Sequence, residues 1–258
     1  MLDPAADPDP PPVTSQDHTG WCLFLDVDGT LLEIAPTPDA VRVTEPLLEL
    51  LERTRDSMQG AAALVSGRSI ATVDELFAPL RWPVAGLHGL ERRDAAGRMH
   101  VAPATTDRAF EAARAALAEI AAATPGALFE DKGPTVALHW RAVPELEAEL
   151  RRRLRPIAQR LGPAYQSLEG RRVFEIKPAT ASKGSAIRAF LAEPPFLGRR
   201  PMFVGDDVTD LDGFAVVDDL GGLSVAVGDA VEAQMRVASP RDVRALLADL
   251  AEGRPVVP

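Results

Sequence analysis

Cysteine is nearly absent from this 258-residue chain: Cys22 stands alone, so no intramolecular disulfide can staple the fold. Its place in the apolar run Trp21-Cys22-Leu23-Phe24-Leu25 assigns it to packing, as a small buried residue, rather than to thiol chemistry. A reducing cytoplasm fits such a chain. Long hydrophobic runs are missing too, since none approaches the roughly 20 residues that a membrane-spanning helix needs. The third lack is basic charge, with 28 Lys and Arg against 38 Asp and Glu and a formal net charge of -10. Nucleic acids and anionic membranes are held through basic surfaces that displace counterions, which excludes both as electrostatic partners but leaves room for a local basic pocket. No histidine pair has metal-ligand spacing, and His88 and His139 are left out of the chemistry.

What the chain does contain is 46% hydrophobic residues, enough for a real core in one large domain or two modest ones. Residues 1–17, MLDPAADPDPPPVTSQD, are acidic and Pro-rich and read as a disordered tail. After the strand at 21–25, Thr44 caps a helix with Leu47, Leu48, Leu50 and Leu51 on its apolar side; AAALV at 61–65 is a strand, SIATVDELF a helix, and a strand follows near Val84 to Leu87. This alternation predicts a doubly wound parallel sheet with right-handed crossovers. From about Val101 the texture changes to an Ala-rich helix near 105–123, two strand-like runs separated by a KGPT turn, a helix across 144–160, and a strand at RRVFEIK. The α/β alternation resumes after Pro178, through SKGSAIRAFLAE, PMFVG, DDVTDLDGFAVV and LSVAV, to a last helix opened by Ser239 and Pro240. A smaller α+β module at 101–177 is therefore expected inside an α/β core of 18–100 and 178–258, with hinges near 100 and 177.

Polar clusters close the core strands. Asp26-Val27-Asp28-Gly29-Thr30 follows the first apolar strand, Ser66-Gly67-Arg68 follows Leu64-Val65, Gly205-Asp206-Asp207-Val208-Thr209-Asp210 follows Phe203-Val204, and Ser182-Lys183-Gly184 opens a helix. Open α/β sheets hold ligands at the carboxyl ends of their strands, and residues two apart in extended chain project the same way. An unpaired Asp ending an apolar strand loses hydration for no structural gain, so the Asp26 and Asp28 pair reads as functional. A phosphoryl group in transit needs a nucleophile, a proton shuttle, a cation and fixed donors, and the clusters match that list. Asp26 is the expected nucleophile and Asp28 the acid/base. Thr30 and Ser66, with Gly29, Gly67 and Arg68, would hold phosphoryl oxygens, and Lys183 would offset the crowded carboxylates. Asp206, Asp26 and the Asp28 carbonyl would bind a hard cation, Mg²⁺, with Asp207 and Asp210 standing behind them.

The four clusters, DVDGT, SGR, the Lys of SKG, and GDDVTD, resemble the motifs of the haloacid dehalogenase (HAD) superfamily of phosphatases. That resemblance implies an aspartyl-phosphate on Asp26, roles for Asp28, Lys183 and Asp206 as above, and an inserted cap that selects the substrate. More narrowly, AGLHGLERRD, EDKGPTVALHWR, VFEIKP and GFAVV are similar to stretches of the trehalose-6-phosphate phosphatases. It implies that Glu130, Lys132, Arg141 and Glu175 hold sugar hydroxyls, that the substrate is a sugar phosphate, and that the synthase making it is a functional partner. Sucrose phosphate, and a non-catalytic sugar-phosphate sensor, are the alternatives. One departure stands out: the family continues its last motif with Glu, whereas Asp210 is followed by Leu211 and then Asp212. Neighbouring helical positions point about 100° apart, so Asp212 is no simple substitute, and weaker metal binding with retained activity is expected.

Overall fold

The computed structural model describes residues 20–34, 41–102, 107–170 and 172–254; the tail expected over 1–17 lies outside them. The strands are β1 Trp21–Leu25, β2 Ala62–Val65, β3 Val84–Gly86, β4 Glu91–Arg93, β5 Met99–Val101, β6 Leu128–Asp131, β7 Val136–His139, β8 Tyr165–Gly170, β9 Val173–Pro178, β10 Arg200–Gly205, β11 Leu223–Val227 and β12 Met235–Val237. The helices are α1 Glu45–Ser57, α2 Ile70–Leu76, α3 Arg108–Ala122, α4 Glu147–Arg160, α5 Lys183–Leu191, α6 Leu211–Asp219 and α7 Pro240–Ala251.

The larger sheet runs β12-β11-β10-β1-β2-β3-β4-β5. It is parallel from β12 to β3, and β4 and β5 then extend it in antiparallel fashion. Alternation along β1 divides its side chains between two apolar layers. Leu23 and Leu25 join Leu47 and Leu51 of α1, Val73 of α2 and Leu247 of α7. Cys22 and Phe24 join Ile187 and Phe190 of α5 and Val217 of α6. Phe24 stacks on Phe196 with centroids 5.4 Å apart, and its truncation to Ala would cost about 3–5 kcal/mol. The doubly wound core is as the alternation predicts, and burial pushes the Cys22 thiol up to about 12, which matches its packing role.

The second sheet, β6-β7-β9-β8, is wholly antiparallel. One face packs Val136, Leu138, Phe174 and Ile176 against Phe110 and Leu117 of α3 and Leu150 and Leu154 of α4. This is the inserted α+β cap. Its other face is polar, and the register explains why: Glu130, Ala137, Glu175 and Leu168 form one row across the strands, so the two glutamates share a face with a small residue between them.

Several elements differ from the sequence reading. Strands β4, β5, β8 and β12 were not anticipated, being short or half-exposed. Thr44 and Ser239 precede their helices without a side-chain cap bond; the Ser239 hydroxyl bonds the Asp242 carboxylate instead. Ser69 and Ser182 do cap, the latter in a reciprocal capping box with Ser185. Arg92 and Arg93 are not solvated charges: Arg93 forks onto both oxygens of Asp74 at 2.7 Å and onto the Trp82 carbonyl, and Arg92 pairs with Glu193 over the Phe190 ring. Folding β4 back along β3 draws these stems over apolar surface, which a linear reading does not reveal.

Candidate active site

Asp26, Ser66 and Asp206 sit just past the carboxyl ends of β1, β2 and β10, which are neighbours in the sheet. Lys183, the first residue of α5, is buried and donates to Asp26 Oδ1 at 2.7 Å and to Asp210 Oδ1 at 2.6 Å. The second Asp210 oxygen accepts the backbone N–H groups of Asp206 and Asp207 at 3.0 and 3.1 Å, so one fully buried carboxylate fixes both the lysine and the loop. Thr30 donates to Asp206 Oδ1 at 3.2 Å. Gly29 has φ +87°, and a Cβ there would fall 2.0 Å from Asp206 Oδ2, so only glycine lets β1 turn beneath that carboxylate.

Carboxylate oxygens of Asp26, Asp206 and Asp210 lie within 4.8 Å of one another. Asp210 thus stands in the cluster itself, nearer than the place behind it that the sequence suggested. Asp207 turns away: its carboxylate caps the short turn Val208–Asp210, taking Val208 N–H at 2.7 Å. Three carboxylates gather beside one ammonium, which pairs with two of them, Asp26 and Asp210. Burial, opposed by Lys183 and reinforced by Asp210 and Asp206, raises Asp26 well above the usual carboxylate range. Burial beside Asp210 pushes Asp206 up to about 7. Burial pulls the Lys183 ammonium down, but Asp210 and Asp26 outweigh it and hold it firmly protonated. A crowded, positively under-compensated set of hard oxygens fits a hard divalent cation.

Asp28 and Arg68 meet each other. The guanidinium forks onto both Asp28 oxygens at 2.6 and 2.7 Å, while the Ser66 hydroxyl accepts Arg68 N–H at 3.1 Å. Three of the cap's expected residues, Glu130, Lys132 and Glu175, also converge. Lys132 donates to Glu175 Oε1 at 3.4 Å and to the Gly67 carbonyl of the core at 3.2 Å, and lies 3.7 Å from Glu130. Arg141 stands just past the end of β7, half-buried. Burial would raise Glu175, but the charges of His88 and Lys132 overcome it and hold it well below the usual range. Glu130 is lowered likewise: the hydrogen bond from His139 and the charge of Lys132 outweigh burial.

The two histidines set aside on spacing are partners of the two cap glutamates. His88 donates to Glu175 Oε2 at 3.0 Å, and His139 to Glu130 Oε2 at 2.9 Å. No local signal connects His88 with a residue 87 positions away. Between cap and core, next to Lys183, lies a cavity of about 390 Å³ whose walls include Gln166, Lys177, Leu211 and Asp212. Leu211 is 44% exposed there. Asp212 turns to α5, accepting Gly184 N–H at 3.3 Å, and so does not occupy the direction of the missing Glu.

The sequence model of the family described as Trehalose-phosphatase matches residues 24–246, across both core and cap. The chain belongs to the trehalose-phosphatase family. It is thereby a phosphoric monoester hydrolase. A probable trehalose-phosphate phosphatase of Sinorhizobium fredii is 46% identical over 240 residues, covering 92% of this chain and 90% of that protein. The trehalose-6-phosphate phosphatase of Escherichia coli K12 is 44% identical over 224 residues, 86% of this chain and 84% of the relative. In fold, the C-terminal domain of the Candida albicans trehalose-6-phosphate phosphatase superposes with a TM-score of 0.81 at 21% identity, covering 92% of this chain and 94% of that one.

Proposed function

We propose that this trehalose-phosphatase family member hydrolyses trehalose 6-phosphate to trehalose and phosphate, with Mg²⁺, through an aspartyl-phosphate on Asp26. The reaction would be the last step of trehalose synthesis, following the synthase that makes the phosphate ester. The observation that carries this reading is the meeting of Asp26, Lys183, Asp206 and Asp210 at the carboxyl ends of the neighbouring strands β1 and β10.

In this reading Asp26 attacks phosphorus, the bond from phosphorus to the sugar oxygen breaks, and Asp28 delivers a proton to that oxygen. Asp28 then takes a proton from the attacking water as the bond from Asp26 to phosphorus breaks, releasing phosphate and restoring the carboxylate. Lys183 keeps the Asp26 carboxylate oriented while charge accumulates beside it. Thr30, Ser66 and the backbone at Gly67 would provide donors for the phosphoryl oxygens, whereas the Gly29 N–H, expected among them, is donated to the Leu32 carbonyl at 2.8 Å and Gly29 serves through its turn. Mg²⁺ held by Asp26, Asp206 and the Asp28 carbonyl, with Asp210 adjoining, would supply charge neutralisation of the transferring group. The Arg68 fork gives Asp28 a second state: an arriving phosphoryl dianion competes for the guanidinium, and its capture of Arg68 frees the Asp28 oxygens for proton transfer.

The core, 18–100 and 178–258, would carry the chemistry, and the cap, 101–177, the choice of sugar, with closure about hinges near 100 and 177. Glu130, Lys132, Arg141 and Glu175 would exchange their present partners for sugar hydroxyls. No helix among the described residues is long and apolar enough to cross a membrane, and a cytoplasmic site of action is part of the proposal. The test is phosphate release from trehalose 6-phosphate, sucrose 6-phosphate and glucose 6-phosphate, with Mg²⁺ and with EDTA. Preferential, Mg²⁺-dependent release from trehalose 6-phosphate is expected. Faster release from sucrose 6-phosphate would move the substrate assignment, and full activity in EDTA would remove the metal.

A further inference from the structure

His88 combines features that the sheet order does not require. It is buried and has φ +56°, directly after Leu87 at φ +49°. Two consecutive non-glycine residues in the left-handed region persist only where their surroundings over-determine them. Those surroundings are the loop after β2: Leu87 N–H donates to the Arg68 carbonyl at 2.9 Å and His88 N–H to the Ser66 carbonyl at 3.0 Å. The imidazole lies over Gly67 so closely that a Cβ there would stand 2.8 Å from its Cε1 and Nε2. From that position Nε2 reaches the cap and donates to Glu175 Oε2 at 3.0 Å.

The contact closes a ring. Glu175 Oε1 accepts Lys132 Nζ, and the same ammonium donates to the carbonyl of Gly67, the residue on which the imidazole rests. Each oxygen of Glu175 therefore has its own partner, one donated by the core and one by the cap. The Glu175 carboxylate is buried, so its orientation is set by these two donors rather than by water.

We propose that His88 is a positioning residue for sugar selection: anchored on the loop that would hold the phosphate, it fixes the Glu175 carboxylate of the cap in the orientation that reads sugar hydroxyls. This rests on Glu175 being a sugar ligand in the reaction proposed above. His88 then ties recognition of the leaving group to the loop at Ser66 and Gly67, and a core residue outside the reacting centre becomes part of the specificity.

The experiment compares kcat and KM for trehalose 6-phosphate and for p-nitrophenyl phosphate, which has no sugar, in His88→Ala, His88→Gln, Glu175→Gln and the His88→Ala/Glu175→Gln double variant, each checked by thermal melting. Loss of a hydrogen bond to a charged group corresponds to about a tenfold change. His88→Ala is expected to lower kcat/KM for the sugar phosphate about tenfold more than for the aryl phosphate, through KM. His88→Gln, whose amide nitrogen can replace Nε2, should recover most of that difference, and the double variant should match Glu175→Gln. Equal losses on both substrates, or independent effects in the double variant, would overturn the assignment. A Glu175→Gln variant with the selectivity of the unaltered protein would instead remove the sugar-ligand reading, and this inference with it.

Discussion

The carboxylates of the core and those of the cap are buried or half-buried but held in opposite electrostatic states. In the core, Asp26, Asp206 and Asp210 crowd around one lysine, and burial raises Asp26 and Asp206. In the cap, Glu175 and Glu130 each have a histidine and share Lys132, and both are lowered. The core site holds more acidic groups than basic ones and is suited to receive a hard cation. The cap glutamates already have partners, so in the proposed function a sugar would enter only by exchanging hydrogen bonds one for one, which favours discrimination between hydroxyl patterns over raw affinity. Under the proposed function chemistry and selection are separable, and substitutions should divide accordingly.

The largest break in that division comes from Asp26→Asn, expected to lower turnover of every phosphate ester by about ten-thousand-fold, as loss of a covalent nucleophile does; phosphate release assays read it directly. Asp210→Asn is next. It leaves Lys183 with one carboxylate and weakens the hold on Asp206 and Asp207, and breaking such a buried pair costs about 3–5 kcal/mol. A fall in denaturation midpoint together with a weakened magnesium response is expected, and an unchanged melt would contradict the tie assigned to Asp210. Glu175→Gln should cost about tenfold in kcat/KM for the sugar phosphate and much less for an aryl phosphate.

Smaller effects sharpen the electrostatic contrast. An acid whose folded pKa lies at about 7 instead of 3.8, as for Asp206, binds a proton in the folded state that the unfolded state has lost. Its contribution to stability is present below about 4 and is lost as pH rises towards 7. With EDTA this contribution lowers the melting temperature at pH 8 relative to pH 6, and Mg²⁺ should raise it more at pH 8. The lowered cap glutamates act outside that window, since theirs is present above 4.5 and lost only in acid. An equal magnesium increment at the two pH values would contradict the charge deficit assigned to the core. Smallest is Leu211→Glu, expected to reduce the Mg²⁺ needed for half-maximal activity about threefold, below the tenfold or more typical of residues that orient metal ligands. No change in magnesium dependence would dismiss that role.

Much of the core was legible because its strands are continuous apolar runs that end abruptly in Asp, Ser or Gly, a contrast that survives without tertiary information. The cap helices and the strands at 128–131, 136–139 and 173–178 were legible from periodicity. Tyr165–Gly170 was not, because an outer strand with both faces half-covered alternates weakly. Nor was Met99–Val101, an exposed edge. Residue types at the site could be named from the sequence, but their partners could not. That Arg68 holds Asp28, that Asp210 rather than Asp207 joins the cluster, and that His88 reaches Glu175 all depend on how separated loops meet.

The separation of chemistry from selection is tested most directly by one ratio: kcat/KM for trehalose 6-phosphate divided by kcat/KM for p-nitrophenyl phosphate, compared between Asp210→Asn and Glu175→Gln. The account predicts that Asp210→Asn lowers both values and leaves the ratio within about twofold, whereas Glu175→Gln lowers the ratio about tenfold. A ratio that falls equally in the two variants, or only in Asp210→Asn, would contradict it.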